Sequence, residues 1–146
     1  ASDGMEIERG CMQHGTTSVF EHSLAVTAQA TLIAQALRIP VAERELVRGS
    51  LLHDYFLYDW HVGDPSHRLH GFRHPGFACA NAERDFGIND IERDMIRHHM
   101  FPLTPVPPTC REGAILCIAD KVVATRETVS GIALRLFRPV RTPGRD

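Results

Sequence analysis

The chain has 146 residues, of which 43% are hydrophobic and 23% charged, and its formal net charge is −2. Those values are typical of one soluble globular domain, and they exclude a disordered chain and a fibre. The lack of a basic excess argues against nucleic-acid binding and against a polybasic membrane surface. No apolar run approaches the roughly 18 residues of a membrane span, and residues 1–10 hold no signal-peptide core, so we expect a cytoplasmic location.

Helical spacing of the apolar residues predicts five helices, which cover residues 17–37, 42–52, 75–86, 89–99 and 111 to about 129. Pro40 stops the first helix, Pro75 suits the first turn of the third, and Asn89 can cap the fourth. The apolar stripe predicted for the first helix consists of Val19, Phe20, Leu24, Ala28, Leu32 and Leu37.

Loops and tails fill the remaining segments. Residues 55–73 are predicted to be mostly loop, and residues 101–109, which carry four prolines, form an extended connection. Because no segment alternates like a strand, the predicted fold class is all-α, a single compact bundle of about five to six helices. We expect the domain to span residues 14–130, between an N-terminal segment (1–13) and a weakly ordered C-terminal tail (131–146).

The cysteines show no C-x-x-C spacing; they are Cys11, Cys79, Cys110 and Cys117. Without a secretion signal, such cysteines are expected to be reduced and mostly buried thiols.

Three polar side chains share helical faces with apolar residues, namely His22, His99 and Asp120. His99 continues an apolar stripe in steps of four, whereas the neighbouring His98 stacks against Asp94. A lone histidine on an apolar face is more often a hydrogen-bonded core residue than a ligand, and a lone buried aspartate is more often a cap or an ion-pair member. Several such residues from separate helices, however, indicate a metal site, since a cation offsets the cost of burying a carboxylate.

The sequence resembles the HD superfamily of metal-dependent phosphohydrolases. The residues that carry the resemblance are His22 in EHSLAV, His53-Asp54 in SLLHDYFLYDW and Asp120 in LCIADK, in the order H…HD…D. The resemblance covers residues 14–128. The motifs HGTTSVFEH, LYDWH, LHGFRHP and PLTPVPP are similar to those of a small, uncharacterised bacterial HD subgroup.

Two further histidines belong to the extended form of the HD pattern. The stretches RHPGFACANAERDFGI and IRHHMFP resemble those of HD proteins related to the dinucleoside-tetraphosphate hydrolases, which selects His74 and His99. The resemblance then implies a first divalent ion bound by His22, His53, Asp54 and Asp120. It implies a second ion bound by His74 and His99, with Asp54 bridging the two. Nitrogen and oxygen ligands suit Fe, Mn, Zn, Co or Ni, one or two ions per chain.

The implied activity is the hydrolysis of phosphoric esters or anhydrides. A metal-activated hydroxide would attack phosphorus in a nucleotide or a small phosphate ester, with Asp54 at the catalytic centre. The expected partner is thus a small phosphorylated substrate, with no nucleic acid and no membrane, and an oligomer is possible. Two alternatives stay open: an HD-type di-iron oxygenase, and a non-catalytic, metal-stabilised sensor or interaction module.

One position departs from the family pattern. Many HD hydrolases carry a phosphate-binding Lys a few residues after the HD pair, where this chain has Leu57. Lys121, Arg73 and His14 are the nearest substitutes in the sequence, and Lys121 is also a candidate catalytic residue. A surface-facing Lys121 and a solvated His14 are equally good interpretations. The loop residues Asp59, His61 and His70 could orient a ligand imidazole, although solvated loop positions suit them better.

Overall fold

The computed structural model describes residues 3–14, 17–57 and 70–136. These ranges form six helices and one short antiparallel sheet: α1 (Asp3–Gly10), β1 (Met12–His14), β2 (Thr17–Ser18), α2 (Val19–Ala36), α3 (Glu43–Leu52), α4 (His70–Phe86), α5 (Asp90–His98) and α6 (Arg111–Leu136). The prediction of an all-α bundle is confirmed. None of the described helices combines the length and the apolar character that a membrane span requires.

Two helix starts are set by capping boxes. The Ser18 hydroxyl accepts a hydrogen bond from the backbone N–H of Glu21 at 3.2 Å, and the Glu21 carboxylate accepts one from the Ser18 N–H at 2.9 Å. Asn89 and Glu92 form the same pair at the start of α5, as the cap predicted at Asn89 requires. Each box satisfies two otherwise unpaired backbone N–H groups, which fixes where the helix begins.

The main apolar cluster packs α2, α3, α5 and α6 together. Its buried members are Val26, Ala30, Ala34, Leu46, Met95, Ile115, Leu116, Ala119 and Val123. Alanines on α2 and α6 have short side chains, which lets these two helices approach closely. The apolar stripe predicted for the first helix, which is α2, is wrong in most of its members. Its residues Leu24, Ala28, Leu32 and Leu37 are exposed.

A second cluster joins the end of α3 to α4 and α5, through Leu52, Tyr55, Ala78, Cys79, Ala82, Ile88 and Ile96. A third, smaller cluster joins Cys11, Val19 and Phe56. Both clusters pack on the segment that follows α3, so the backbone of residues 53–56 is held from two sides. Cys11, Cys79 and Cys117 are buried and Cys110 is half-buried, and the four form no disulfide, as predicted for reduced thiols.

Several boundaries differ from the predicted ones. Helix α1 and the sheet were not predicted, and α6 continues past residue 129 to Leu136. Helix α4 begins at His70, so Pro75 lies inside the helix and not in its first turn. A proline this near the helix start removes one backbone hydrogen bond and otherwise fits the helical backbone.

Candidate metal centre

Five different elements deliver six polar side chains to one point. They are His22 in the first turn of α2, His53 and Asp54 directly after α3, His74 on α4, His99 directly after α5 and Asp120 on α6. All six are buried, and the exposed fractions of His22 and His53 are 0%. Because α3 and α5 both end at the cluster, their last turns present the imidazoles of His53 and His99 inward. The residues selected by the motifs are thus brought together in space.

Asp54 lies at the middle of the cluster, with its two carboxylate oxygens facing different histidines. Its Oδ1 is 3.1 Å from His74 Nε2 and 3.5 Å from His99 Nε2. Its Oδ2 is 3.5 Å from His53 Nε2 and 3.9 Å from His22 Nε2. This is the arrangement that a bridging carboxylate requires.

Asp120 also contacts the histidines that face Oδ2 of Asp54. Its Oδ1 lies 3.2 Å from His22 Nε2 and 3.8 Å from His53 Nε2. Each of these two histidines is therefore within 4.0 Å of both aspartates.

Backbone carbonyl groups orient two of the imidazoles. His53 Nδ1–H donates to the Ser50 carbonyl oxygen at 2.7 Å, and His99 Nδ1–H donates to the Ile96 carbonyl oxygen at 2.8 Å. In the neutral ring the proton is held on Nδ1, so Nε2 can offer its lone pair to the cluster. His53 Nε2 is fully buried and has no hydrogen-bond partner among the described residues. A buried ring nitrogen of this kind, 3.5 Å from an Asp54 oxygen and 3.8 Å from an Asp120 oxygen, is in the environment that a cation would satisfy.

The orientation of His22 depends on a residue that sequence reasoning missed. The Glu127 carboxylate accepts a hydrogen bond from His22 Nδ1–H at 2.9 Å, while Nε2 of the same ring faces Asp120. Asp120 and Glu127 lie seven residues apart on α6, two helical turns along one face. That spacing could have pointed to Glu127. Carboxylate–histidine pairs of this kind hold metal-binding imidazoles in place.

Charges in the cluster shift the pKa values of its members strongly. Burial disfavours the His22 imidazolium, but the carboxylates of Asp120, Glu127 and Asp54 outweigh that effect and raise the pKa of His22 to about 10. Burial also disfavours the charged carboxylates of Asp54 and Asp120, but the surrounding histidines hold the pKa of both well below the usual range. The metal-free cluster thus combines ionised Asp54 and Asp120 with a protonated His22, and at His53, too, the two aspartates outweigh burial and raise the pKa.

His99 behaves in the opposite way. Burial lowers its pKa to about 3, and the neighbouring His53 and His74 act in the same direction. His99 is therefore neutral at physiological pH, as a metal-binding imidazole must be.

The histidine next to it is not part of the cluster. His98 is half-buried and its Nδ1 lies 2.9 Å from Asp94 Oδ1. The predicted helix register, with His99 inward and His98 against Asp94, is the one observed.

The candidate phosphate-binding residues have different positions. Lys121 is exposed, as its surface-facing interpretation predicts, and its ammonium group donates to the backbone carbonyl oxygens of His99 at 3.1 Å and of Cys117 at 3.2 Å, next to the backbone of one candidate ligand. Arg73 is exposed next to His74, with its guanidinium carbon 5.4 Å from the centre of the Phe77 ring. The side chains of His14 and His70, together with Asp59 and His61, lie outside the described part of the structure.

Two overlapping groups of three side chains could each hold a metal ion: His22, His53 and Asp120, and His53, Asp54 and His99. Within each group the donor atoms lie within 4.8 Å of one another. Donors bound to one ion at roughly 2.1 Å lie about 3.0–3.4 Å apart, so inward shifts of less than about 2 Å would form either site. The residues fit divalent metal ions.

Comparison with known proteins identifies the class. A family model described as the HD domain matches residues 19–125, well over half of the chain, and the chain therefore belongs to the HD-domain family. No curated protein and no solved structure matches the chain. The family is in general one of metal-dependent phosphohydrolases.

Proposed function

We propose that this protein is a metal-dependent phosphohydrolase with two divalent transition-metal ions and a small phosphorylated substrate, a nucleotide being the first choice. The proposal depends on one observation, the convergence of four histidines on Asp54, whose Oδ1 lies 3.1 Å from His74 Nε2 and whose Oδ2 lies 3.5 Å from His53 Nε2. Family membership supports it independently. Within the family, we further propose kinship to the HD proteins related to the dinucleoside-tetraphosphate hydrolases.

The ligands divide into two sets in this proposal. His22, His53 and Asp120 would hold the first ion, while His74 and His99 would hold the second. Asp54 would bind both, since its oxygens face different histidines at 3.1 to 3.9 Å. Bound ions of this type supply Lewis acidity, which activates water and stabilises charge on a transferred phosphoryl group.

The chain's own residues prepare the site for this chemistry. The backbone carbonyls of Ser50 and Ile96 keep the proton on Nδ1 of His53 and His99, so both rings offer Nε2. Burial of the cluster excludes bulk water, which strengthens every electrostatic interaction inside it. We find no need for a protein nucleophile in this scheme.

Lys121 is the proposed phosphate-binding cation. Its ammonium group is held next to His99 by a carbonyl oxygen of that residue, and its neighbour in sequence is Asp120. Leu57, which stands where many relatives have lysine, packs against the apolar cluster around Tyr55 and cannot serve. Arg73, beside His74, is a second candidate, and His14 stays a prediction.

The experiment is a hydrolysis screen with defined metals. Protein purified without chelator should contain between one and two equivalents of transition metal. Loaded with Mn²⁺ or Zn²⁺, it should release phosphate or nucleotide from a panel of nucleoside phosphates, dinucleoside polyphosphates and small phosphate esters, in the absence of dioxygen.

Two results would overturn the proposal. Protein that neither contains metal nor takes it up would exclude a metal-dependent enzyme. Turnover only with iron, a reductant and dioxygen would instead establish an HD-type oxygenase.

A further inference from the structure

One buried acidic residue has no role in the site described so far. Glu8 lies on α1, and its exposed fraction is 1%. Neither of its carboxyl oxygens has a hydrogen-bond partner among the residues that the structure describes. Burial of a carboxyl group without a partner is costly, so its retention needs a reason.

The other two buried glutamates of the described chain have charged or hydrogen-bonding partners. Glu92 pairs with the Arg48 guanidinium at 2.9 Å and accepts a hydrogen bond from the Asn89 N–H at 3.0 Å. Glu112 accepts one from the Ala42 N–H at 2.8 Å. Both therefore have structural roles that Glu8 lacks.

The packing of α1 directs Glu8 toward residues 53–56, which begin with His53-Asp54 and are called the HD segment below. Gly4 precedes Glu8 by one helical turn and lies on the same face. A Cβ atom on Gly4 would lie 1.5 Å from the Tyr55 hydroxyl oxygen, so this glycine allows α1 to lie directly on Tyr55, the residue after Asp54. One turn beyond Glu8, Cys11 packs with Phe56. Glu8 thus lies on α1 between two contacts with the HD segment.

Electrostatic interactions place the carboxyl group within the field of the cluster. Burial, reinforced by the negative charge of Asp54, raises the pKa of Glu8 to about 8, and His53 acts in the opposite sense. Glu8 is therefore within electrostatic range of Asp54 and His53. It belongs to neither of the three-residue groups whose donor atoms lie within 4.8 Å of one another.

We propose that Glu8 is a further acidic residue of the metal centre, whose carboxylate faces the bound ions from the N-terminal helix and increases their affinity. The inference rests on the proposed function only in requiring that the HD site holds divalent cations. Such a cation is the partner that Glu8 lacks, and its positive charge favours the ionised carboxylate. The N-terminal helix, which lies outside the matched family region, thereby becomes part of the site.

The test measures metal binding and does not depend on turnover. Mn²⁺ is titrated calorimetrically into metal-free full-length protein and into the variants Glu8→Gln and Glu8→Met. Glu6→Gln, an exposed residue on the same helix, is the control. We expect both Glu8 variants to bind Mn²⁺ at least about tenfold more weakly, in the range seen for groups that support metal ligands, and Glu6→Gln to match the wild type.

Thermal unfolding separates this role from a purely structural one. Glu8→Met keeps the side-chain length and removes the unpaired carboxyl group, so it should raise the Tm of the metal-free protein while lowering Mn²⁺ affinity. Wild-type Mn²⁺ affinity in both folded Glu8 variants would overturn the proposal. Because the readout is Mn²⁺ binding, a protein that binds Mn²⁺ through Glu8 but hydrolyses no phosphate compound would refute the proposed function alone.

Discussion

Two adjacent regions of the bundle, the main apolar cluster and the cluster of six buried polar side chains, are stabilised in different ways, although the same helices build both. One turn beyond His22, helix α2 contributes Val26 to the main apolar cluster, and one turn before Asp120, helix α6 contributes Leu116. In the apolar cluster, each side chain gains free energy from leaving water, whatever its neighbour is. In the polar cluster, each side chain loses hydration and depends on particular partners.

The difference separates the residues that stabilise the fold from those that serve the site. The apolar cluster tolerates changes of shape at a cost in stability, whereas the polar cluster needs specific atoms at specific points. Histidines and carboxylates that satisfy one another in the metal-free state are also available to a cation. Substitutions in the two regions should therefore have separable effects.

The largest effect is expected for Asp54→Ala. Loss of the carboxylate that faces both pairs of histidines should abolish turnover and remove most of the bound metal, since no other residue in the described part of the chain contacts all four rings. Metal content by elemental analysis and hydrolysis rate are the measurements. The matched change in the apolar cluster is Leu46→Ala, at a residue 2% exposed.

Leu46→Ala should lower the free energy of unfolding by about 2–5 kcal/mol and leave metal content per folded molecule unchanged. If Leu46→Ala also strips the metal, or if Asp54→Ala retains it, the two regions are not separable and the comparison fails.

The next effect distinguishes two neighbouring histidines. His99→Ala should lower metal content by about one equivalent and leave the first ion in place, because His99 faces only Oδ1 of Asp54. His98→Ala should change neither metal content nor activity, since its ring pairs with Asp94. If His99→Ala leaves metal content unchanged and His98→Ala lowers it, His98 and not His99 is the metal ligand. If His74→Ala and His99→Ala both leave activity intact, the centre is mononuclear.

A smaller effect is expected for the residue that orients His22. Glu127→Gln keeps the side-chain shape but removes the charge that holds His22 Nδ1–H, so metal affinity should fall by about 10- to 100-fold. Glu43→Gln, the same change at an exposed residue of α3, is the control. Equal Mn²⁺ affinity in the two variants, measured by calorimetry, would show that Glu127 does not position the ligand.

The smallest effect is a pH dependence of stability in the metal-free protein. The pKa of His22 rises from 6.5 to about 10 on folding and that of Glu8 from 4.5 to about 8, so between these values the folded state holds more protons than the unfolded state. Stability is then lost as pH rises, and the Tm of the metal-free protein should fall between about pH 6 and pH 9.

Metal binding should show the opposite trend. Mn²⁺ must displace the proton from His22, so the rise in Tm that it produces should grow with pH. If Tm changes with pH in the same way in Mn²⁺ and in chelator, this linkage is contradicted. Glu8→Gln should make the Tm of the metal-free protein less dependent on pH.

Much of the site could be predicted from the sequence, because its residues are polar at positions where the helical pattern requires apolar ones. His22 and Asp120 stand out for this reason, and the four-residue spacing that leads to His99 distinguishes it from His98. Glu127 was missed since a single carboxylate in the second half of a long helix gives no indication of a partner on another helix. The burial of Glu8 could not be predicted from the sequence, because it depends on how α1 packs on Tyr55.

The fold was predicted in outline and less well in detail. Capping residues such as Asn89 mark helix starts locally, so those boundaries were found. The stripe predicted for α2 includes Leu24, Leu32 and Leu37, yet Val26, Ala30 and Ala34 pack in the core, because close packing of helices favours small residues over large ones. Local spacing does not reveal which of two faces a neighbouring helix covers.

A crystal structure of the protein grown with Mn²⁺ tests the central claim most directly. Anomalous scattering should locate one Mn²⁺ ion beside Oδ2 of Asp54, at binding distance from His53 Nε2, and a second beside Oδ1, close to His74 and His99. Occupied ions at these two positions would establish that the buried polar cluster is a metal centre. Full-length protein saturated with Mn²⁺ in solution, but with no anomalous peak among these residues, would contradict the account.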